Sequence, residues 1–160
     1  MKYKRFEELP VWQASVDLGV RVFSMGSKPA LRSQRSVRDQ IERAALSVSN
    51  NVAEGFERGT TQELLTFIYI ARGSAGEVRS ILCVMERMDG FSDLKSEISD
   101  LKSLAESVSR QLRGWAKSLQ DSTIKGPRYL NSKASKIEQS RKDRESFLED
   151  LRQIAGGAKD

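Results

Sequence analysis

The 160-residue sequence contains no histidine and only one cysteine, Cys83. Without histidine, no imidazole can bind zinc, act as a general base or complete a catalytic triad. A single cysteine excludes an internal disulfide and is typical of a reducing compartment. Because only carboxylates, lysines, serines and one thiol remain for catalysis, we expect a protein without enzymatic activity, metal or cofactor.

Long hydrophobic runs are also missing. The longest uncharged stretches, such as Leu64 to Ala71, fall far short of the roughly 20 apolar residues that a membrane span requires. Met1 to Phe6 contains basic residues but no apolar segment follows, so it does not resemble a secretory signal. We therefore expect a soluble, cytoplasmic protein.

The sequence has only three prolines, and aromatic residues make up 7% of it, whereas 31% of residues are charged. There is no sustained alternation of Val, Ile and Thr, so the composition favours helices over strands. We predict an all-α protein, an antiparallel up-down-up-down four-helix bundle over residues 1–122. A charged C-terminal extension, partly helical, is predicted for residues 123–160.

Apolar spacing indicates where the four helices lie. The first is expected from Pro10 to about Met25, and the second from Ser33 or Ser36 to Gly55, which would act as a left-handed cap. Thr60 or Thr61 is expected to cap the third helix, and Ser92 the fourth. The buried seams of the third and fourth helices are predicted to be Leu64, Ile68, Ala71, Ala75, Val78, Leu82 and Met85, and Leu94, Ile98, Leu101, Ala105, Val108, Leu112, Trp115 and Leu119.

The apolar faces of the first and third helices are wider than one bundle core requires. In the first helix Val16, Val20 and Phe23 lie beside a separate stripe that contains Leu18 and Val22. Such width predicts contact on more than one side, and hence a homo-oligomer.

Small residues cluster where the second and third helices would face each other after folding back about Arg58 and Gly59. Ala44 and Ala45 would lie level with Arg72 and Gly73, and Gly76 is close by. Since glycine lowers helix propensity by roughly 1 kcal/mol relative to alanine, close helix packing is the expected reason for these glycines.

The decapeptide Asn50 to Gly59, NNVAEGFERG, gathers polar groups between two apolar helices. It could be a recognition loop. Alternatively it is a structural turn, in which Asn51 and Glu54 satisfy backbone groups around Gly55 while Glu54 and Arg58 pair one helical turn apart. We favour the structural turn, because the ends of two helices need such partners in any case.

The net charge of +5 is unevenly distributed, and two basic segments are candidate nucleic-acid-binding sites. Arg32, Arg35 and Arg38 are spaced three apart and could contact phosphates. They could equally form a solvated face, because Asp39 and Glu42 follow Arg35 and Arg38 at four residues.

The second basic segment lies near the end of the chain and has no acidic residue. Its members are Lys125, Arg128, Tyr129, Lys133 and Lys136. The tyrosine among the basic residues could stack on an unpaired nucleotide, or the segment could be a flexible linker.

Other reactive side chains have simpler explanations. Cys83, between Leu82 and Val84, is expected in the core. The carboxylate pairs Glu97 and Asp100, and Glu149 and Asp150, are expected to be solvated.

Three blocks of the sequence resemble the four-helix-bundle family encoded within intervening sequences of bacterial 23S ribosomal RNA genes. They are FEELPVWQAS, DQIERAALSVSNNVAEGFERG and ELLTFIYIARGSAGEV, in that order. The resemblance implies a homopentameric ring of four-helix protomers with a basic surface. A related protein is the accessory subunit of a diversity-generating reverse transcriptase.

Two functional hypotheses follow from the residues and the resemblance together. The first is a homo-oligomeric scaffold that binds nucleic acid, most plausibly structured RNA. The second is an accessory subunit that supports a reverse transcriptase and its RNA template.

Overall fold

The computed structural model describes residues 3–121 and a few positions of a later helical segment, namely 140, 141, 143–145, 147 and 148. The chain divides into two compact units, Met1–Gly126 and Pro127–Asp160. In the second unit, the described residues are helical, and Arg141 and Glu145 form an ion pair of 2.6 Å one turn apart. The remaining residues of the predicted C-terminal extension lie outside the described residues.

The first unit is built from helices throughout its described part. The α-helices are α1 (Pro10–Gly26), α2 (Pro29–Arg32), α3 (Arg35–Glu57), α4 (Thr61–Glu86) and α5 (Lys95–Gln120), and the short 3-10 helices are Phe6–Glu8 and Asp89–Leu94.

The four long helices form the predicted all-α antiparallel bundle. In order around the bundle they are α1, α3, α4 and α5, and α5 packs back on α1. The antiparallel direction of α3 and α4 is visible in two polar contacts, Gln40 to Glu77 at 2.9 Å and Ser47 to Ser74 at 3.0 Å. The position predicted for the fold-back between these helices is therefore confirmed.

The hydrophobic core follows the predicted seams. All seven seam residues of α4, from Leu64 to Met85, are completely buried. In α5 the seam is buried from Leu94 to Leu112, whereas Trp115 and Leu119 are half-buried. Because complete burial of a Leu, Ile or Val side chain stabilises a fold by about 1.5–3 kcal/mol, these two seams account for much of the bundle's stability.

Two connections are more ordered than predicted. A short helix, α2, lies between α1 and α3, and neither Ser33 nor Ser36 caps α3. The Ser33 Oγ instead donates to the Ala30 carbonyl at 2.9 Å. Ser92 lies inside a 3-10 helix rather than at the start of α5. The physical reason is burial, since Leu31 and Phe91 insert into the core and fold their connections into helical turns.

The prediction that Gly55 forms a left-handed cap is wrong. No glycine in the described residues has a positive φ, and α3 continues through Gly55 to Glu57. A Cβ placed on Gly55 would lie 2.6 Å from the Cβ of Phe67 and 3.3 Å from Leu64 Cδ1. Gly55 therefore allows α3 and α4 to approach each other closely.

The predicted packing role of Gly73 and Gly76 is also wrong within this unit. Both are exposed, and a Cβ on either would meet no atom within 4 Å. A glycine that does permit a close approach of α3 and α4 lies near the turn, at Gly55.

We expect Gly55→Ala to lower the free energy of unfolding by about 1–3 kcal/mol, because the added methyl overlaps the Phe67 side chain near the backbone. The matched control is Gly114→Ala in α5, where a Cβ meets open space. That change should raise stability by about 0.5–1 kcal/mol through helix propensity. Urea unfolding followed by circular dichroism measures both, and equal effects of the two substitutions would contradict this packing role.

Candidate nucleic-acid interface

The corner between α3 and α4 is held by side-chain contacts. Asn51, Glu54 and Gly55 lie within α3 and not in a turn, which is a correction to the predicted turn. Asn51 Nδ2 donates to the Ser47 carbonyl at 2.7 Å and to Ser47 Oγ at 2.9 Å. Because Ser47 Oγ also contacts Ser74, Asn51 belongs to a polar link between α3 and α4.

Arg58 is the first residue after α3, and two of its contacts have structural roles. It pairs with Glu54, as expected from their spacing. Its guanidinium also lies over the Phe67 ring, 4.9 Å from the centroid. A guanidinium that already faces a carboxylate and an aromatic ring is stabilised in place, so the corner is better explained as a joint than as a recognition loop.

Thr60 caps α4, as predicted. Its Oγ1 accepts a hydrogen bond from the Glu63 backbone N–H at 3.2 Å and donates to Glu63 Oε2 at 2.7 Å. The Glu63 carboxylate is also favourable in the first turn, where the helix dipole is positive.

The arginines predicted to form one ridge are divided between two helices. Arg32 ends α2 and Arg35 begins α3, with two non-helical residues between them. Arg38 contacts Asp39 at 2.9 Å and Glu42 at 3.9 Å and is therefore largely neutralised. Arg32 and Arg35 are exposed and form no ion pair with any residue that the structure describes, so they remain available to an anion.

The second predicted basic segment lies outside the described residues. This applies to Lys125, Arg128, Tyr129, Lys133 and Lys136, so their expected contact with nucleic acid remains a prediction.

A third basic surface, missed in the sequence, lies where α4 meets α5. We call it the α4–α5 basic face, and all of its residues are exposed. They are Tyr69, Arg72, Arg79, Arg110, Arg113 and Lys117. Residues 61–123 have balanced charge overall, so composition did not reveal it. The signal that could have done so is the spacing of seven residues between Arg72 and Arg79, which places both on one side of α4.

Other reactive side chains singled out in the sequence have structural neighbours in the described part of the chain. Cys83 is half-buried and not in the core, because it lies towards α5 beside Lys102. The Lys102 ammonium donates to Glu86 Oε2 at 2.7 Å, and this hydrogen bond raises the pKa of Lys102. Glu97 pairs with Lys28, and no group of three potential metal ligands occurs among the described residues.

None of the helices in the described residues combines the length and apolar character needed to cross a membrane.

Two apolar surfaces remain exposed on different sides of α3. On the α1–α3 side, Phe23 and Leu46 line a shallow groove, and Val20, also on α1, is 62% exposed. On the α3–α4 side, Val37, Ile81 and Val84 line another groove, and Val84 is 53% exposed. Val37 and Ile81 are partly buried and pack against the core, whereas Val20, Phe23, Leu46 and Val84 lie outside it.

The architecture and surface define an antiparallel four-helix-bundle protein with exposed apolar and basic faces. Residues 7–114 match the family described as "23S rRNA-intervening sequence protein", which covers more than half of the chain. The chain therefore belongs to the 23S rRNA-intervening sequence protein family.

A solved structure from Bacteroides thetaiotaomicron VPI-5482 shares the fold. It is described as a protein with unknown function from the S23 ribosomal protein family, and its TM-score is 0.60 at 17% sequence identity. The match covers 67% of this chain and 98% of the Bacteroides chain. No curated protein matches this sequence.

We expect Thr60→Ala to lower the free energy of unfolding by about 1 kcal/mol, because the Glu63 N–H loses its capping acceptor. Thr66→Ala is the control, since the exposed Thr66 hydroxyl only bonds the Gln62 carbonyl within α4. Its effect should stay within about 0.5 kcal/mol. Chemical unfolding of both variants measures the difference, and an unaffected Thr60→Ala variant would exclude a stabilising cap.

Proposed function

We propose that this chain is a non-enzymatic, homo-oligomeric helical scaffold that binds nucleic acid, most plausibly RNA, through basic surface residues. The observation that carries the proposal is the pair of surfaces that expose Val20, Phe23, Leu46 and Val84, all of which lie outside the buried core. The pentameric ring implied by the family resemblance is the proposed form of the oligomer.

The position of the apolar surfaces supports a ring. A head-to-tail interface joins two different surfaces of the same subunit, and repetition closes a ring when the rotation permits. The α1–α3 and α3–α4 surfaces are two such surfaces, each with exposed aliphatic or aromatic side chains. Covering them would remove apolar area from water at about 25 cal/mol per Å².

The charge of the chain supports a polyanionic ligand. The net charge is +5 and the isoelectric point is about 9.5. Arg32 and Arg35 offer exposed guanidinium groups that form no ion pair within the described part of the chain, and such groups suit phosphate oxygens. In a ring each such group would be repeated once per subunit, and simultaneous contacts would convert weak phosphate binding into useful affinity.

We expect the wild-type protein to be oligomeric by light scattering at micromolar concentration, and Val84→Glu to shift it towards the monomer. The physical reason is that a buried, unpaired carboxylate is costly at an apolar interface. Ser103→Glu adds the same charge at an exposed position of α5 and should remain oligomeric. A monomeric wild-type protein would exclude the scaffold.

We expect the wild-type protein to bind a labelled single-stranded RNA with an affinity that falls as salt rises, by about 0.7 log units per log unit of salt for each phosphate contact. Arg32→Gln combined with Arg35→Gln should lower this slope by about 1.4. Arg87→Gln combined with Lys95→Gln removes the same charge from exposed positions near the α4–α5 turn and should have a smaller effect. Fluorescence anisotropy across a salt series makes the measurement.

Binding that is absent at low salt, or unchanged by salt, would contradict nucleic-acid binding. The accessory-subunit hypothesis predicts a further result, which is co-purification of a reverse transcriptase with the protein from its host.

A further inference from the structure

Cross-helix contacts between α4 and α5 form a ladder of complementary charges along part of their length. Glu86 pairs with Lys102 at 2.7 Å, and one step further along, Arg79 lies 3.8 Å from Glu106. At the far end the ladder closes with a neutral contact, in which Gln120 Nε2 donates to the Tyr69 hydroxyl at 2.9 Å. These three contacts establish the register of the two helices.

Between the last ion pair and the Tyr69–Gln120 contact, the register places two arginines at the same level. Arg72 precedes Arg79 by seven residues, and Arg113 follows Glu106 by seven. On each helix the arginine therefore lies about 10 Å along the axis from the residue of the ion pair, and in an antiparallel pair both distances run in the same direction. Seven residues are close to two helical turns, so Arg72 and Arg113 remain on the sides of α4 and α5 that carry the ion pair. The ladder thus continues with two like charges, an arrangement that is unfavourable without an anion.

No carboxylate of these two helices is available nearby to neutralise the pair. The segments 64–76 of α4 and 107–120 of α5 contain no acidic residue, and the antiparallel register places them side by side. Glu106 at their border is shared by Arg79 and Arg110, at 3.8 and 3.5 Å. Arg72, Arg113 and Lys117 are exposed and form no ion pair with the described residues.

The surroundings of the arginine pair suit a nucleic-acid strand. Tyr69 is 45% exposed and lies next to the basic groups, where its ring can stack on an unpaired base. Gly73 and Gly114 have no side chain and are exposed, so the sugar-phosphate backbone of a strand can approach the two helices closely there. Arg110, Arg113 and Lys117 extend over about 10 Å along α5 and form a row of cationic groups along which a strand can lie.

We infer that the α4–α5 basic face binds the phosphates of single-stranded RNA at Arg72, Arg113 and Lys117, with a base stacked on Tyr69. This inference rests on the nucleic-acid binding proposed above and adds a second contact surface to Arg32 and Arg35. An acidic peptide would use the same charges but would gain nothing comparable from Tyr69, so the aromatic ring distinguishes the two ligands.

The decisive substitution is Arg113→Glu, because it changes stability and binding in opposite directions. The new carboxylate can pair with Arg72, whereas the contact between Arg113 and a phosphate is lost. Its melting temperature should equal or exceed that of the wild type, and its affinity for labelled oligouridylate should fall at least tenfold. The control is Lys95→Glu, which makes the same charge change at the exposed first residue of α5. It should retain affinity within about threefold, since long-range charge effects are screened beyond about 10 Å at 0.1 M salt.

The stacking contact is tested by Tyr69→Phe and Tyr69→Leu. The phenylalanine variant keeps the ring and loses only the hydrogen bond to Gln120, so it should bind oligouridylate like the wild type. The leucine variant should bind about tenfold more weakly, because stacking on an aromatic ring contributes about that factor per base. Circular dichroism of each variant verifies that the helices are intact.

The outcomes separate the site from the function. If the wild-type protein binds no RNA at low salt, both nucleic-acid binding and its assignment to this face are wrong. If the wild type binds and Arg113→Glu lowers affinity no more than Lys95→Glu, the protein binds RNA elsewhere and the assignment alone is overturned. If polyglutamate of equal charge displaces the RNA and the Tyr69 variants bind alike, the face prefers an acidic partner and the inference is wrong.

Discussion

The burial of the α4 seam is the constraint on which the rest of the bundle depends. Its seven residues, from Leu64 to Met85, are completely inaccessible to water. Helix α4 contacts α3 on one side and α5 on the other, and these are the most extensive helix contacts in the bundle. Because the side chains of a helix point in fixed directions, the buried seam determines which residues face each neighbour and which face water.

One consequence is the division of polar chemistry between the two sides of α4. The side towards α3 carries the hydrogen bonds of Gln40 with Glu77 and of Ser47 with Ser74, together with the close approach at Gly55. The side towards α5 carries the ion pairs formed by Arg79 and Glu86. On α4, the exposed aliphatic residue Val84 lies towards α3, and the exposed arginines Arg72 and Arg79 lie towards α5. An oligomer built on the apolar surfaces would therefore leave the α4–α5 basic face free.

The corner after α3 illustrates how one motif can be informative about the fold and still be silent on function. Asn51 bonds within α3, Gly55 admits Phe67, and Arg58 pairs with Glu54 and covers the Phe67 ring. Asn51, Glu54 and Arg58 thus each have a partner inside the bundle. The motif therefore explains how the helices join, and ligand binding is better sought on surfaces whose charged groups form no ion pair with the described residues.

Sequence periodicity alone determined the all-α class, the seams of α4 and α5, the start of α1 at Pro10 and the cap at Thr60. These features depend on local spacing and on hydrogen bonds between residues a few positions apart, so no neighbouring helix is needed to infer them. The tertiary structure decided the helical turns at Leu31 and Phe91, the role of Gly55 and the ion pairs of α4 with α5 at Arg79 and Glu86. Each of these depends on which residue of another helix lies opposite, and that register is set only when the seams pack together.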